Sequence, residues 1–200
     1  HQLGGGPTPR TAMAADTRGV GQLVSAALAR GAGRIVVGLG GSATTDGGSG
    51  LVEALGGTTQ AAARLRDIDL VAASDVENPL LGPLGAAAVF GPQKGADDVT
   101  VARLEERMTQ WSRVLSSMAG RDISGDAGAG AAGGLGAALL ALGARRVSGA
   151  TLVAEATDLA TDVAAADLVI TGEGKFDAQT LRGKVVYALH LSLIHISEPT

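Results

Sequence analysis

Short apolar runs alternate along the chain with longer stretches in which apolar residues recur at helical spacing. Residues 34–37 and 68–73 are rich in β-branched and other apolar side chains and predict buried strands, and residues 167–172 predict a further one. Residues 152–165 instead predict a helix. Strands that alternate with helices in this way are typical of an α/β protein whose sheet is mainly parallel.

Two predicted helices carry clear caps and apolar stripes. One is capped by Asp16 or Thr17, and its stripe consists of Val20, Leu23, Val24, Ala27 and Leu28. The other is amphipathic, begins at Asp97 or Asp98 and ends at Gly120. Its stripe consists of Val101, Leu104, Met108, Trp111, Leu115 and Met118. We expect both stripes to face the core.

Two glycine-rich stretches adjoin predicted helices. Residues 38–50 carry six glycines around Ser42 and Asp46, and a helix is predicted to begin near Ser49. Residues 125–142 form a second such turn, which leads into a helix of Ala and Leu. Glycine lets backbone amides approach a ligand, and a helix N-terminus offers unpaired N–H groups to an anion. Glycine content alone favours the simpler interpretation, a tight turn with small residues for packing.

Composition narrows the class of protein. The chain has 200 residues, enough for one or two domains, and 46% hydrophobic but only 2% aromatic residues predict a core of closely packed Ala, Val and Leu. A net charge of −4 argues against a nucleic-acid surface, and the absence of Cys excludes disulfides and thiolate metal sites. No apolar run has the length of a membrane span and no signal peptide is visible, so we expect a cytoplasmic protein.

Polar residues follow the predicted strands, where parallel sheets bind ligands. Phosphoryl transfer needs a cradle for phosphates, carboxylates for Mg²⁺ and a nearby cation. The glycine-rich turns could form cradles, and Lys94 and Lys184 could supply the cation. Candidate carboxylates are Asp46, Asp75, Asp126 and Asp177. Mg²⁺ needs only one or two of them, and each could instead cap a helix or close a turn. The Walker pattern GxxxxGK[ST] is absent, as is GxGxxG with a ribose-binding acid, which argues against a standard P-loop ATPase and a dinucleotide site.

Four segments carry a more specific pattern. They are GLGGSATTDGGSG (38–50), DVENPLLGPLGAAAVFGPQKGA (75–96), GAGAAGGLGAAL (128–139) and ADLVITGEGKFDAQTLRGK (166–184). In this order they resemble the glycerate kinase family, of the type with the motif GGSATNDGG. The resemblance implies ATP-dependent phosphorylation of D-glycerate, with 2-phosphoglycerate as the favoured product and with ATP and Mg²⁺ as cofactors.

The resemblance also implies a domain organisation. We expect a two-domain α/β fold in which a parallel-sheet, Rossmann-like or flavodoxin-like domain carries an inserted second α/β domain, here truncated. Residues 1–161 would be mostly the inserted domain, and residues 162–187 would begin the return to the Rossmann-like domain. Residues 188–200 are interpreted as a non-native tail, because their composition shifts abruptly to Leu, Ile and Ser without Gly.

The side chains at motif positions of the family are Ser42, Asp46, Asp75, Asn78, Lys94, Asp126, Glu173, Asp177 and Lys184. From their chemistry we predict that Asp177 and Glu173 hold the metal or act as the base. Lys94 and Lys184 are predicted to contact phosphate or the glycerate carboxylate. The predicted cofactor-binding turn consists of Gly40, Gly41, Ser42, Asp46, Gly47 and Gly48. The predicted substrate residues are Asp75, Asn78 and Asp126.

The sequence departs from the family pattern in several places. Thr45 stands where Asn is usual, and Val186 stands where Pro is usual. The family's N-terminal strand with its DSFKGS-like motif and the C-terminal half of the Rossmann-like domain are missing. We therefore expect weak or absent kinase activity from the 200-residue chain by itself.

Two other functions are compatible with the residues. A small α/β module could bind an anionic metabolite without chemistry. If the chain is instead a kinase, replacing Asp177 by Asn in a full-length relative should abolish turnover and leave the fold intact. A dinucleotide-dependent enzyme would bind a nicotinamide cofactor at residues 38–50.

Overall fold

A parallel pair of strands organises the first part of the fold. In the computed structural model, which describes residues 6–170, β1 (Arg34–Gly38) and β2 (Asp69–Ala73) pair in parallel from Arg34 opposite Asp69 to Gly38 opposite Ala73. The sheet order is β1-β2-β3, with β3 at Arg145–Val147. The strands predicted at residues 34–37 and 68–73 and the parallel sheet of an α/β protein are therefore confirmed.

Seven α-helices surround these strands within the described part of residues 1–146, which form the first of two compact units. In chain order they are α1 (Pro9–Ala14), α2 (Arg18–Ala29), α3 (Ser49–Ala54), α4 (Thr58–Leu65), α5 (Ala86–Phe90), α6 (Asp98–Ala119) and α7 (Ala131–Ala141). A 3₁₀ turn occupies Pro92–Lys94. The connection from β1 to β2 runs through α3 and α4, as parallel pairing requires a crossover.

Helix α6 begins and ends where its sequence predicts. The Asp97 carboxylate accepts a hydrogen bond of 2.8 Å from the Thr100 amide, and Gly120 ends the helix with a left-handed φ of 69°. The apolar stripe faces the core, with Leu104, Met108 and Leu115 fully buried. The stripe of α2 is less regular, because Leu23 is 73% exposed.

Small residues make the core compact. Helix α7 consists of Ala, Gly and Leu, is buried on nearly all sides, and contacts α3, α5, α6 and β2. Adding a Cβ to Gly136 would place it 2.1 Å from the Gly128 carbonyl oxygen. The glycines of α7 are therefore required for close backbone contact, which compensates for the scarcity of large aromatic side chains.

The second unit, residues 147–200, is described as far as residue 170. It holds α8 (Gly149–Ala156) and α9 (Leu159–Ala165), so the single helix predicted over residues 152–165 is wrong. The break lies at Asp158, whose left-handed φ of 52° cannot continue a right-handed helix.

The strand predicted at residues 167–172 is not observed in its described portion. Residues 167–170 form no strand, and Leu168 and Ile170 are 77% and 87% exposed. A strand that is apolar throughout needs partners on both sides, and the described residues pair none with this stretch. The predicted domain boundaries near residues 161 and 187 stay predictions. No helix in residues 6–170 is long and apolar enough to cross a membrane.

Candidate functional site

A cavity of about 310 Å³ lies beside the carboxyl ends of β1 and β2. The described residues that line it are Leu39, Gly40, Gly41, Ser42, Val76, Phe90, Gln93, Lys94 and Ala132. They come from the loops after the two parallel strands, from the region of the 3₁₀ turn and from the start of α7. A cavity at this end of a parallel sheet has the usual position of a ligand site in α/β proteins.

The loop after β1 presents backbone donors at the cavity. Within residues 6–170, the amide groups of Gly40, Gly41 and Ser42 donate to no protein acceptor. A Cβ added at Gly40 or Gly41 would meet no atom within 4 Å, so open space adjoins this backbone. Gly40 and Gly41 are exposed, so these consecutive amides are open to the cavity and suit an anionic ligand.

Lys94 brings a positive charge to the same cavity. Its side chain is almost fully buried, at 3% exposure, and its ammonium donates a hydrogen bond of 2.6 Å to the Thr44 carbonyl oxygen. Burial lowers the pKa of Lys94 to about 8, and the nearby Asp46 carboxylate opposes that fall. An ammonium has three N–H donors, and within the described residues only one of those on Lys94 has an acceptor. A buried, incompletely paired cation of this kind favours an anion as its remaining partner.

Asp46, which is predicted to bind the cofactor, is held by protein donors. Its buried carboxylate accepts four hydrogen bonds, from the Thr17 amide and hydroxyl at 2.8 Å each, from the Gly48 amide at 3.2 Å and from the Gly50 amide at 3.0 Å. The Thr17 hydroxyl also accepts from the Leu51 amide at 2.9 Å. Three of these hydrogen bonds end on Oδ2 and one, from the Gly48 amide, ends on Oδ1, so Asp46 is held mainly through one carboxylate oxygen. It joins the starts of α2 and α3 and does not line the cavity.

Gly47 and Gly48 hold the loop against its neighbours. Both have left-handed backbone, with φ of 66° and 79°. A Cβ on Gly47 would lie 2.6 Å from Cδ1 of Trp111, and one on Gly48 would lie 2.3 Å from Cβ of Ala138. The Trp111 indole N–H donates to the Gly47 carbonyl at 2.9 Å. These two glycines therefore pack against α6 and α7 and lie outside the cavity lining, whereas Gly40 and Gly41 belong to it.

The second glycine-rich turn packs directly on the first. The Gly47 amide donates to the Gly133 carbonyl at 3.0 Å, and a Cβ on Gly133 would lie 1.9 Å from the Thr44 carbonyl oxygen. The backbone is left-handed at three consecutive residues, Ala132, Gly133 and Gly134. Of these three, Ala132 carries a side chain, and its φ is 51°. That conformation costs an alanine about 1–2 kcal/mol. Ala132 also lines the cavity. Strained backbone is often found at functional sites.

Arg107 of α6 fixes the inner side of the loop. Its two terminal nitrogens donate to the Met13 carbonyl at 3.0 Å and to the Thr45 carbonyl at 2.5 Å. The consecutive carbonyls of Thr44 and Thr45 are thus each held by a cation, Lys94 and Arg107 respectively. Thr45 Oγ1 and Arg107 Nε are buried without a partner in the described structure. Thr45 here replaces the Asn usual in the resembling family, so this position lacks a side-chain amide.

The predicted substrate residues do not line the cavity. Asp75 is exposed, the Asn78 side chain donates to the Leu84 carbonyl at 2.8 Å, and Asp126 forms an ion pair with Arg121 at 2.6 Å. Glu173, Asp177 and Lys184 lie outside the described residues. Five lining residues have no role predicted from the sequence, although all of them belong to the matched segments and could have been found from that membership: Leu39, Val76, Phe90, Gln93 and Ala132.

Comparisons with known proteins agree on one family. The sequence profile of the glycerate kinase family matches residues 6–62 and 57–193. The glycerate kinase of Bacillus subtilis strain 168 is 43% identical over 200 residues, with 88% of this chain and 52% of the relative covered. The glycerate 2-kinase of Escherichia coli K12 is 39% identical over 201 residues, with 88% and 53% covered.

A solved structure has the same fold. The crystal structure of a candidate glycerate kinase 2 from Salmonella typhimurium LT2 superimposes with a TM-score of 0.76 at 39% identity, and the match covers 92% of this chain and 56% of that one. The chain spans about half the length of the curated relatives it matches.

Proposed function

The chain belongs to the glycerate kinase family, and we propose that it is part of an enzyme that phosphorylates D-glycerate with ATP. We propose 2-phosphoglycerate as the product, in keeping with the name of the E. coli relative, glycerate 2-kinase. In this reaction a glycerate hydroxyl oxygen attacks the terminal phosphorus of ATP. The bond from that phosphorus to ADP breaks, and the hydroxyl proton passes to a base.

One observation carries the proposal. Three of the four segments that resemble the family meet at the same cavity: Gly40, Gly41 and Ser42 come from the first, Lys94 from the second, and Ala132 from the third. The fold thus brings residues more than 90 positions apart in the sequence to one space. Their donors and the buried ammonium suit an anion, and both substrates of the proposed reaction are anionic.

The proposed metal ligands lie outside the described residues. No group of three or more His, Asp or Glu side chains suited to a metal lies within residues 6–170, and the Asp46 carboxylate there accepts four hydrogen bonds from the protein. The proposed Mg²⁺ ligands, Glu173 and Asp177, and the proposed second lysine, Lys184, lie beyond this part of the chain. Their assignment as metal ligands, base and phosphate contact remains a proposal from chemistry.

The proposal is tested in a chimera, in which a relative provides the parts of the enzyme that this chain does not span. In a chimera, this chain replaces the matching segment of the B. subtilis glycerate kinase, and the purified protein is incubated with ATP, Mg²⁺ and D-glycerate. We expect ATP-dependent consumption of glycerate. Proton-coupled ³¹P spectra identify the product, because phosphate on C2 couples to one proton and phosphate on C3 couples to two. A folded chimera that leaves glycerate unchanged, beside an active parent, would contradict the proposal.

A non-catalytic anion-binding module is the second candidate. The feature that favours it is the absence of Asp and Glu from the described cavity lining, which therefore contains no carboxylate base. Replacing Asp177 by Asn in the chimera separates the two functions. The kinase predicts turnover by the chimera that falls in the variant with the fold intact, whereas a module without chemistry predicts no turnover in either protein.

A further inference from the structure

The cavity has the charge of a site for a small monoanion. Among its described lining residues, Lys94 is the one charged side chain, and the buried Asp46 carboxylate nearby balances part of its charge. Burying unbalanced charge is costly, so a ligand of low negative charge suits the site better than a polyanion. Glycerate carries one negative charge at neutral pH. A nucleoside triphosphate carries three or four, or about two as its Mg²⁺ complex, and the described lining offers no carboxylate for that Mg²⁺.

The cavity is large enough for a small acid. Glycerate has seven non-hydrogen atoms, and the cavity has a volume of about 310 Å³.

The donors are arranged for a carboxylate with hydroxyl groups. The Lys94 ammonium has two N–H donors without described acceptors, and the loop after β1 adds the amides of Gly40, Gly41 and Ser42. Gln93 and the Ser42 hydroxyl line the same space and can both donate to and accept from alcohols. The apolar side of Phe90 can cover a short carbon chain.

We propose that this cavity is the subsite for the hydroxy acid, that Lys94 binds its carboxylate, and that the nucleotide is held elsewhere in the enzyme. The proposal rests on the proposed function for the identity of the acid. It makes the glycine-rich loop after β1 part of the acid site, which differs from the cofactor-binding role predicted for that loop from sequence.

Binding to the 200-residue chain tests the assignment without requiring turnover. D-Glycerate is titrated by calorimetry or ligand-observed NMR, and glycerol serves as the matched ligand because it lacks only the carboxylate function. We expect saturable glycerate binding at least tenfold tighter than that of glycerol, since charge-assisted hydrogen bonds are worth about 1.5–3 kcal/mol. Mg·ATP is added as a competitor and should not displace glycerate.

Variants locate the carboxylate. Lys94→Met should reduce glycerate affinity about tenfold or more and leave glycerol unaffected, whereas Arg113→Met, which removes an exposed charge on α6, should change neither. If Lys94→Met does not fold, Gln93→Ala at the exposed edge of the cavity decides instead, with an expected loss of about threefold or more for glycerate.

Three results would overturn the assignment: no saturable glycerate binding, equal affinity for glycerol, or displacement of glycerate by Mg·ATP. Unchanged glycerate affinity in folded Lys94→Met would do so as well. Failure here is distinct from failure of the proposed function. Competition by ATP beside an active chimera rejects only the subsite, whereas glycerate binding beside an inactive, folded chimera rejects only the kinase.

Discussion

Replacing Lys94 by methionine removes a charge that the fold buries and keeps most of the side-chain volume. Lys94 lines the cavity and is 3% exposed, and its ammonium donates one hydrogen bond, to the Thr44 carbonyl. Methionine is unbranched and apolar, so it can occupy the same space without a desolvation cost. The variant therefore isolates what the charge at this position costs the folded protein.

The free-energy cost of burying the Lys94 charge follows from its pKa. Burial lowers the pKa of Lys94 from 10.5 to about 8, and at 1.36 kcal/mol per pH unit this corresponds to about 3 kcal/mol of destabilisation by the charged form at neutral pH. Methionine recovers that energy but leaves the Thr44 carbonyl without its donor, which costs about 1–3 kcal/mol. At pH 7 the variant should thus be as stable as the wild type or up to about 2 kcal/mol more stable.

The difference in stability between Lys94→Met and the wild type should change sign as the pH rises. Below about pH 8 both folded and unfolded wild type carry the proton on Lys94, so this group adds no pH dependence. Between about 8 and 10.5 the folded state has released the proton while the unfolded state keeps it, so wild-type stability rises with pH. The variant lacks this gain. Its stability relative to the wild type should fall by about 3 kcal/mol across that window and become negative.

Trp111 provides the assay, because it is the single tryptophan and contacts Gly47 in the loop that Lys94 holds. Urea unfolding is followed by its fluorescence at several pH values from 7 to 10.5 for the wild type and Lys94→Met. Arg113→Met serves as the control for removal of an exposed charge. A difference in stability that stays constant over this pH range would refute the reasoning, since it would mean that the Lys94 charge is not buried at a cost.

Three further substitutions test the loops around the cavity. Asp46→Asn keeps the side-chain shape but removes acceptor capacity at a group that four donors contact, so the free energy of unfolding in urea should fall by about 3 kcal/mol. The control Asp67→Asn, at an exposed position, should change that energy by less than about 0.5 kcal/mol. Gly48→Ala should lower the free energy of unfolding by about 2–5 kcal/mol, because backbone strain at φ 79° adds to overlap with Ala138. The control Gly120→Ala has a similar φ of 69° but meets no atom within 4 Å, so it should lower that energy by only about 1–2 kcal/mol. Ala132→Gly should raise the free energy of unfolding, measured by thermal denaturation, by up to about 1 kcal/mol, because the strain at φ 51° is relieved. A clear loss of stability would contradict the claim that the Ala132 backbone is strained.

Local features were predictable from sequence because their causes are local. The β-branched run at residues 34–37 and the apolar run at 68–73 specify strands wherever they are placed. The capping Asp97 and terminating Gly120 fix the ends of α6 within a few residues of their own position. The glycine-rich loop after β1 was located for the same reason, since its composition alone indicates close approach and unusual backbone.

The roles within the site were not predictable, because they depend on partners far away in sequence. The two Thr17 donors to Asp46 lie 29 residues before it, and Arg107, which holds the loop, lies 62 residues after Thr45. An aspartate in a glycine-rich motif has the same local sequence whether it binds a metal or two helix starts. The left-handed backbone of Ala132 adjoins Gly133, which packs closely on the Thr44 carbonyl, and alanine itself gives no sign of this conformation.

The most direct test of the convergence of these segments is an amide-resolved ¹H–¹⁵N NMR titration of the 200-residue chain with D-glycerate. The account predicts that the amides of Gly40, Gly41, Ser42 and Ala132 shift together along one binding curve, while exposed sites remote from the cavity, such as Gly120 at the end of α6, stay unchanged. Shifts confined to one of these segments, or centred on surfaces away from the ends of β1 and β2, would contradict it.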